Sequence, residues 1–283
     1  MYSPHVHFIP VVKKYNSNWE FKCPTAGSIG LMLQMIMPAL CNPEKTLLTL
    51  EGGTTVDKSP PIYITQNVLE PLLSKLGINI ECKLIKEGVH PIGKGVAQFT
   101  ISSKGLKGAN MSDRGDIIQI KVYSLCGIAY KEFAIAVCNK LRSAIGPLFP
   151  KVDIAINNAT YGHPKCTLKY FAVILSSSNG FVLSAQFMDG KKEPMSTDVP
   201  ISVIMKDVEL YKMVPEICID EFHSDQLLIY MVLAKAKSIM NIPRMSLHFE
   251  TMIYLVRQFM PETIFKIDNS SGKYVQIIVD YPK

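Results

Sequence analysis

The stretch Ser102–Asp116, SSKGLKGANMSDRGD, divides the chain, and any fold must let the segments on either side of it meet. Its glycine, serine and lysine content suits an exposed crossing between domains. Before it, strand-like pieces at His5–Val12 and Trp19–Cys23 lead to an apolar helix near Leu31–Ala39 and a strand at Thr46–Leu50. A helix over about Ile62–Leu76, stopped by Gly77, and strands at Ile78–Ile85 and Val96–Ile101 complete that part. A similar series closes the chain: a helix over Ser224–Lys237, a strand reaching His248, a second helix, and strands at Ile264–Ile267 and Val275–Val279. The block between them differs. It reads as a long strand (Ile117–Ser124), a helix (Glu132–Ser143), strands at Val152–Ile156, Leu168–Ser176 and Gly180–Gln186, and a helix near Ile201–Lys212. The expected class is α+β: a main domain of repeated strand and helix units from residues 1–112 and 215–283, with a small domain, 113–214, inserted.

At 283 residues and 48% hydrophobic content the chain can bury a full core, which argues against disorder. Its seven cysteines are spread widely and never form a C-x-x-C pair, arguing against a disulfide framework and a zinc site. Reduced, mostly buried thiols of an intracellular protein are expected. The most membrane-like tract, Gly27–Cys41, contains Gln34 and Pro38 and falls short of the ~20 apolar residues a span needs, so no membrane partner is expected. No secretory signal opens the chain, because MYSPHVHF lacks a basic start followed by an apolar block. A net charge of +6 suits a polyanionic partner and equally an ordinary basic enzyme, since no run of basic residues marks a groove.

The segment RMSLHFETMIYLV (Arg244–Val256) sets His248 between two periodicities. Met245 and Leu247 alternate as in a strand, while Met252, Ile253, Leu255, Val256 and Phe259 recur at helical spacing up to Pro261. A histidine there can be a packed core residue, a helix-end cap or a nucleophile, and the stretch alone leaves the three open. Asp225 and Gln226 open an otherwise apolar helix, where an acid complements the dipole and Ser224 is a possible cap. Gln34 is the only polar side chain between Gly30 and Pro38, which a structural account puts on the wet side of that helix. His5, His7, His90, His163 and His223 show no metal-ligand spacing.

Six segments together resemble the RNA 3′-terminal phosphate cyclase family, in that family's order. They are TAGSIGLMLQMIMPAL (Thr25–Leu40), LEGGTTVDKSPPIYITQNVLEPLLSKLGI (Leu50–Ile78), EGVHPIGKGVAQFTI (Glu87–Ile101), RGDIIQI (Arg114–Ile120), DEFHSDQLLIYMVLA (Asp220–Ala234) and the His248 stretch. The resemblance implies an enzyme that uses ATP to convert an RNA 3′-phosphate into a 2′,3′-cyclic phosphate through a histidine-AMP intermediate. It implies His248 as the nucleophile, and Gln34, Pro61, Phe222, His223, Ser224, Asp225 and Gln226 around the nucleotide, with Phe222 placed to stack on a base. It also implies a divalent metal ion, Mg or Mn, and RNA with a 3′-phosphate end as partner. A neutral imidazole attacks phosphorus without a separate base, and a helix N-terminus beside it favours the neutral form and can hold phosphate.

The implied fold is a main domain similar to the C-terminal domain of a bacterial translation initiation factor, interrupted by a thioredoxin-like insert. Three departures from the family pattern stand out. Glu87 replaces a usual basic residue, where a carboxylate repels phosphate, and Lys94 replaces a glycine, which suggests a different backbone path. The family's first strand and helix unit, with its E-G-G-G-Q stretch and arginines, has no counterpart, so two of three repeats are expected, with a partner chain over the open side. The alternatives to an active cyclase are a cyclase-like RNA-binding scaffold in RNA or ribosomal RNA processing, and a shortened product of a longer gene. Nucleus or cytoplasm is the expected location.

Overall fold

Alternating burial along Thr46–Gly52 and Gly95–Ser103 shows why these segments are strands: every second side chain enters a core and the others face outward. The computed structural model describes residues 17–41 and 45–282. The expected strand at His5–Val12 lies outside the described residues. The first sheet contains β1 (Asn18–Lys22), β2 (Thr46–Gly52), β3 (Ile78–Lys86) and β4 (Gly95–Ser103), in the order β1-β2-β4-β3. Helix α1 (Ile29–Leu40) begins at Ser28, whose hydroxyl accepts from the Leu31 N–H at 3.1 Å. It packs so closely that a Cβ on Gly30 would lie 2.2 Å from the Pro60 carbonyl oxygen, a gap only glycine can occupy.

The helix expected over 62–76 forms in three consecutive pieces, α2 (Ile62–Ile64), a π turn (Thr65–Leu69) and α3 (Glu70–Lys75). Pro71 explains the interruption, because it has no N–H to give and its ring crowds the preceding turn's carbonyl, widening the helix. The Cys82 N–H donates to Glu70 Oε1 at 2.7 Å, yet burial pushes the Glu70 carboxyl up from its ordinary 4.5 to about 7; the bond from Cys82 opposes the rise and Glu81 adds to it. Between pH 4.5 and 7 the folded chain therefore keeps a proton that the unfolded chain has released, and stability falls as pH rises through that window. Glu70→Gln flattens this dependence and stabilises the protein at pH 8 by on the order of 1 kcal/mol, allowing for solvent screening, as urea melts across the range will show.

The glycine-rich Ser102–Asp116 stretch is not only the exposed loop expected from its composition. It contains β5 (Asn110–Met111), which pairs in parallel with a distant strand. Beyond it come β6 (Ile117–Gly127), α4 (Lys131–Ile145), β7 (Ile154–Tyr161), β8 (Lys169–Ser177), β9 (Val182–Asp189) and α5 (Asp198–Met213). The sheet order is β7-β6-β8-β9, with β6 and β7 parallel and β8 and β9 antiparallel. Nearly every residue of β8 is buried, because both faces of this sheet are covered. Phe171, Val173 and Leu175 join α4 and α5 in one core, while Tyr170, Ala172 and Ile174 join the core shared by the other two sheets. Tyr63 stacks on Tyr123 at 3.6 Å between ring centres, tying the two parts together.

The chain ends with α6 (Glu221–Leu233), β10 (Ser238–Ile242), α7 (Leu247–Phe259), β11 (Ile264–Asp268) and β12 (Val275–Asp280). The sheet order is β11-β12-β10-β5. The expected strand running to His248 stops at Ile242, where Pro243 withdraws its N–H from the ladder. Helices with three four-stranded sheets agree with the α+β expectation. The seven cysteines are free, and burial raises the thiols of Cys41 to about 11 and of Cys126 and Cys218 to about 12.

Candidate functional site

Two N-caps aim the residues of interest. Ser246 caps α7, accepting the Phe249 N–H at 3.1 Å, which puts His248 in the first helical turn. Phe249 is fully buried, and His248 beside it is exposed. The core-histidine reading is therefore wrong, and the cap of this helix is Ser246. Helix α6 is capped by Asp220, not Ser224: Asp220 Oδ1 accepts from the His223 N–H at 3.0 Å and contacts His223 Nδ1 at 2.7 Å. Its other oxygen accepts from the Ser184 N–H and hydroxyl, both at 2.8 Å, so one fully buried carboxylate joins α6 to β9. Burial alone would raise the Asp220 carboxyl, but His223 and the two Ser184 bonds hold it below the usual carboxylate range.

Helix α6 packs on both α1 and α7. Where the three meet is a cleft of about 120 Å³ lined by Gln34 and Met37 of α1, Leu69 of the π turn, Asp225, Gln226, Ile229 and Tyr230 of α6, and Met252 of α7. His248 and Met252 are four residues apart on one face of α7, so His248 stands one turn above the cleft wall. Burial pushes the Asp225 carboxyl up, opposed first by a hydrogen bond from the Gln226 N–H and then by the His248 and His223 side chains. Gln226 Nε2 donates to the Phe222 carbonyl at 2.6 Å, leaving its buried Oε1 without a partner. That oxygen is sealed from solvent in this conformation, so a ligand would meet it only after the Gln226 side chain turns.

The structure thus brings together Gln34, Asp225 and Gln226, with His248 one helical turn from the lining residue Met252. It does not bring the other four expected residues into the cleft lining. Pro61 is buried at the start of α2, and His223 is 1% exposed and bound to Asp220. The Ser224 hydroxyl donates to the Glu221 carbonyl at 2.8 Å in full burial. Phe222 is half exposed on the outer side of the first turn. Burial raises the Glu87 carboxyl, and it accepts the Thr54 hydroxyl proton at 2.5 Å, so it is tied inward instead of confronting phosphates. Lys94 keeps a glycine-like path, with φ of 56°. Sequence reasoning passed over Arg244 as a cation: it forms an ion pair with Glu221, tying the loop before α7 to the first turn of α6. No spacing rule joins those two positions.

Among the described residues no group of three or more His, Cys, Asp or Glu side chains is arranged to hold a metal ion, and no helix is long and apolar enough to cross a membrane.

Fold and cleft together define an α+β protein whose candidate site is walled by apolar side chains, carries two amides and one carboxylate, and has an exposed histidine one helical turn from the lining residue Met252. The model of the RNA 3′-terminal phosphate cyclase family matches residues 1–267, and the chain belongs to that family. It is 28% identical over 279 residues to the probable RNA 3′-terminal phosphate cyclase of Dictyostelium discoideum, covering 92% of this chain and 61% of that protein. It is 25% identical over 280 residues to the RNA 3′-terminal phosphate cyclase of Desulfurococcus amylolyticus, covering 96% of this chain and 76% of that one. The corresponding Drosophila melanogaster protein is 27% identical over 253 residues, with 86% and 68% covered. The chain therefore spans less than two thirds of the Dictyostelium relative's length.

Proposed function

We propose that the chain is an ATP-dependent RNA 3′-terminal phosphate cyclase in which His248 is the nucleophile. The observation that carries this reading is the exposed histidine on the first turn of α7, one helical turn from Met252 in the lining of a cleft that holds Gln34, Asp225 and Gln226. A cleft of about 120 Å³ has room for a ring but not a whole nucleotide, since sites for drug-sized ligands run to several hundred Å³. The base would lie between the apolar walls, with Gln34 and, once its side chain turns, Gln226 bonding its edge and Phe222 available outside for stacking. The phosphates would then run outward to the α7 N-terminus, whose amides favour anions.

In this chemistry an imidazole nitrogen of His248 bonds to the α-phosphorus of ATP as the bond to the β-phosphate oxygen breaks, and pyrophosphate leaves. An oxygen of the RNA 3′-phosphate then takes the AMP and frees the imidazole. The adjacent ribose 2′-OH, losing its proton, attacks the RNA phosphorus, and AMP departs as the ring closes. Asp225 is the one carboxylate lining the cleft, so a divalent ion, Mg or Mn, would be held chiefly by the nucleotide phosphates.

Incubation with ATP labelled on the α-phosphate tests the reading: acid-labile label stays on the protein, whereas label on the γ-phosphate does not. The second reading, an RNA-binding scaffold of impaired catalysis, is favoured by the absence of lysine and arginine from the cleft lining. RNA binding with no transfer of α-label would select it.

The finer fold reading has its own support. The β7-β6-β8-β9 order with the parallel β6–α4–β7 crossover suits a thioredoxin-like insert over 113–214, and the strand and helix series on either side suit two initiation-factor-like repeats over 1–112 and 215–283. On the outer side of α7, Leu247, Tyr254 and Phe259 are 78%, 62% and 82% exposed, which supports a covering polypeptide there. An intracellular location, nuclear or cytoplasmic, goes with an RNA substrate.

A further inference from the structure

We propose that a second cleft, between the loops of the first sheet and the end of β9, holds the RNA strand just before its 3′ end, with a backbone phosphate between Thr55 and Lys191. This rests on RNA being the substrate. The cleft measures about 740 Å³, several times the nucleotide cleft, and is walled on one side by the α1 cap Ser28 and Leu31 of α1 with Thr55 and His90, and on the other by Met188 of β9 and Lys191 just after it. Helix α1, 12 residues long, has no acidic residue in its first turn, so its dipole favours an anion nearby, although its Ile29, Leu31 and Met32 N–H groups already donate to the Gly53 carbonyl, the Ser28 hydroxyl and the Ser28 carbonyl.

The independent sign of a ligand is Thr55. It is 2% exposed and lines the cleft, yet among the described residues its hydroxyl has no hydrogen-bond partner, and it is not among the unbonded atoms sealed from solvent. Neighbouring Thr54, by contrast, is bonded to Glu87 and Gly88. A nearly buried hydroxyl kept open to one cavity is a donor awaiting an acceptor.

The far wall supplies the cation. The Lys169 ammonium donates to the Lys191 carbonyl at 2.6 Å, and the Thr167 hydroxyl to the Gly190 carbonyl, fixing the loop that carries Lys191. Asp189 is neutralised by Lys169 at 2.7 Å, whereas Lys191 is exposed and forms no ion pair among the described residues. Asp57 at the rim is the opposing charge, and His90 faces the same space. Leu31 and Met188 offer apolar surface for sugar and base.

Position completes the inference. Leu31 lines this cleft and Gln34 lines the nucleotide cleft, three residues along the same helix face and about 5 Å apart on its axis. A strand lying along α1 from one to the other would deliver its end to the nucleotide.

The test is binding of a fluorescent single-stranded oligoribonucleotide with a 3′-phosphate to the full chain at several salt concentrations. Lys191→Ala should weaken binding about 3- to 10-fold at low salt and lower the salt slope by about one. Thr55→Val, which keeps shape, should weaken it several-fold without altering that slope. Circular dichroism and melting curves establish that both variants fold. Millimolar inorganic phosphate should not displace the RNA, because the site needs sugar and base as well. Unchanged affinity in both folded variants, displacement by free phosphate, or no RNA binding by the wild type would each overturn the proposal. Wild-type protein that binds RNA, loses affinity on these substitutions and takes no label from ATP would sink the enzymatic reading and leave this cleft standing.

Discussion

If the proposed mechanism holds, His248→Ala protein incubated with α-labelled ATP should carry no label, and cyclisation of RNA 3′-phosphate ends should fall by at least about 10³-fold. On the proposed mechanism the effect is this large because the covalent bond would go to the side chain removed, and among the described residues no imidazole lines the cleft to replace it: His223 is buried and bound to Asp220. Folding should be little affected, since His248 is exposed and the α7 cap belongs to Ser246. An unchanged melting temperature together with lost label is the expected pair of results. Label that persists on the variant would move the nucleophile elsewhere. Asp225→Ala, which removes a group that senses His248 without being the nucleophile, should slow labelling about 10- to 100-fold and leave it measurable.

The largest effect on stability is expected at Asp220. Its two oxygens accept the His223 N–H and two bonds from Ser184, and one of them also contacts the His223 ring, all in complete burial. Asp220→Ala removes the α6 cap, leaves the Ser184 donors buried and unpaired, and strands the His223 imidazole. A loss of about 3–5 kcal/mol follows, since breaking a buried polar pair exposes the full desolvation cost of the partner left behind. At this chain length the melting temperature should drop by roughly 8 °C or more. The same residue sets an acid limit. Its folded carboxyl lies below the usual range, so the stability it contributes is present above the ordinary Asp value of 3.8 and is lost as pH falls through the lower folded value. A drop of less than about 1 kcal/mol in a urea melt would mean that water or a neighbouring group replaces these bonds.

Much of the fold can be read along the chain because its periodicities are local. The alternation in Thr46–Gly52, the helical spacing after His248 and the stop at Gly77, which takes φ of 86°, each depend on residues a few positions apart. The errors share another origin. Met245 and Leu247 alternate like a strand, yet Leu247 is 78% exposed and Pro243 has already ended β10. Strand β5 is hidden in a glycine-rich loop because two residues become a strand only when β10 lies beside them. Between Asp220 and Ser224, either able to cap a helix, the choice fell to Asp220 because Ser184 supplies two further donors from another sheet.

For the site, the sequence by itself determined which chemical groups are available: an imidazole before a helical run, an acid and two amides on apolar helices, and a family order linking them. Only the tertiary structure decided which of these share a cleft. Helix packing turned Gln34, Asp225 and Gln226 toward one another and left His248 exposed, while the same packing buried His223, Ser224 and Pro61. The physical reason is that identity and spacing are local properties of a chain, whereas burial is settled by what lies opposite, and the elements opposite α6 come from α1, α7 and β9.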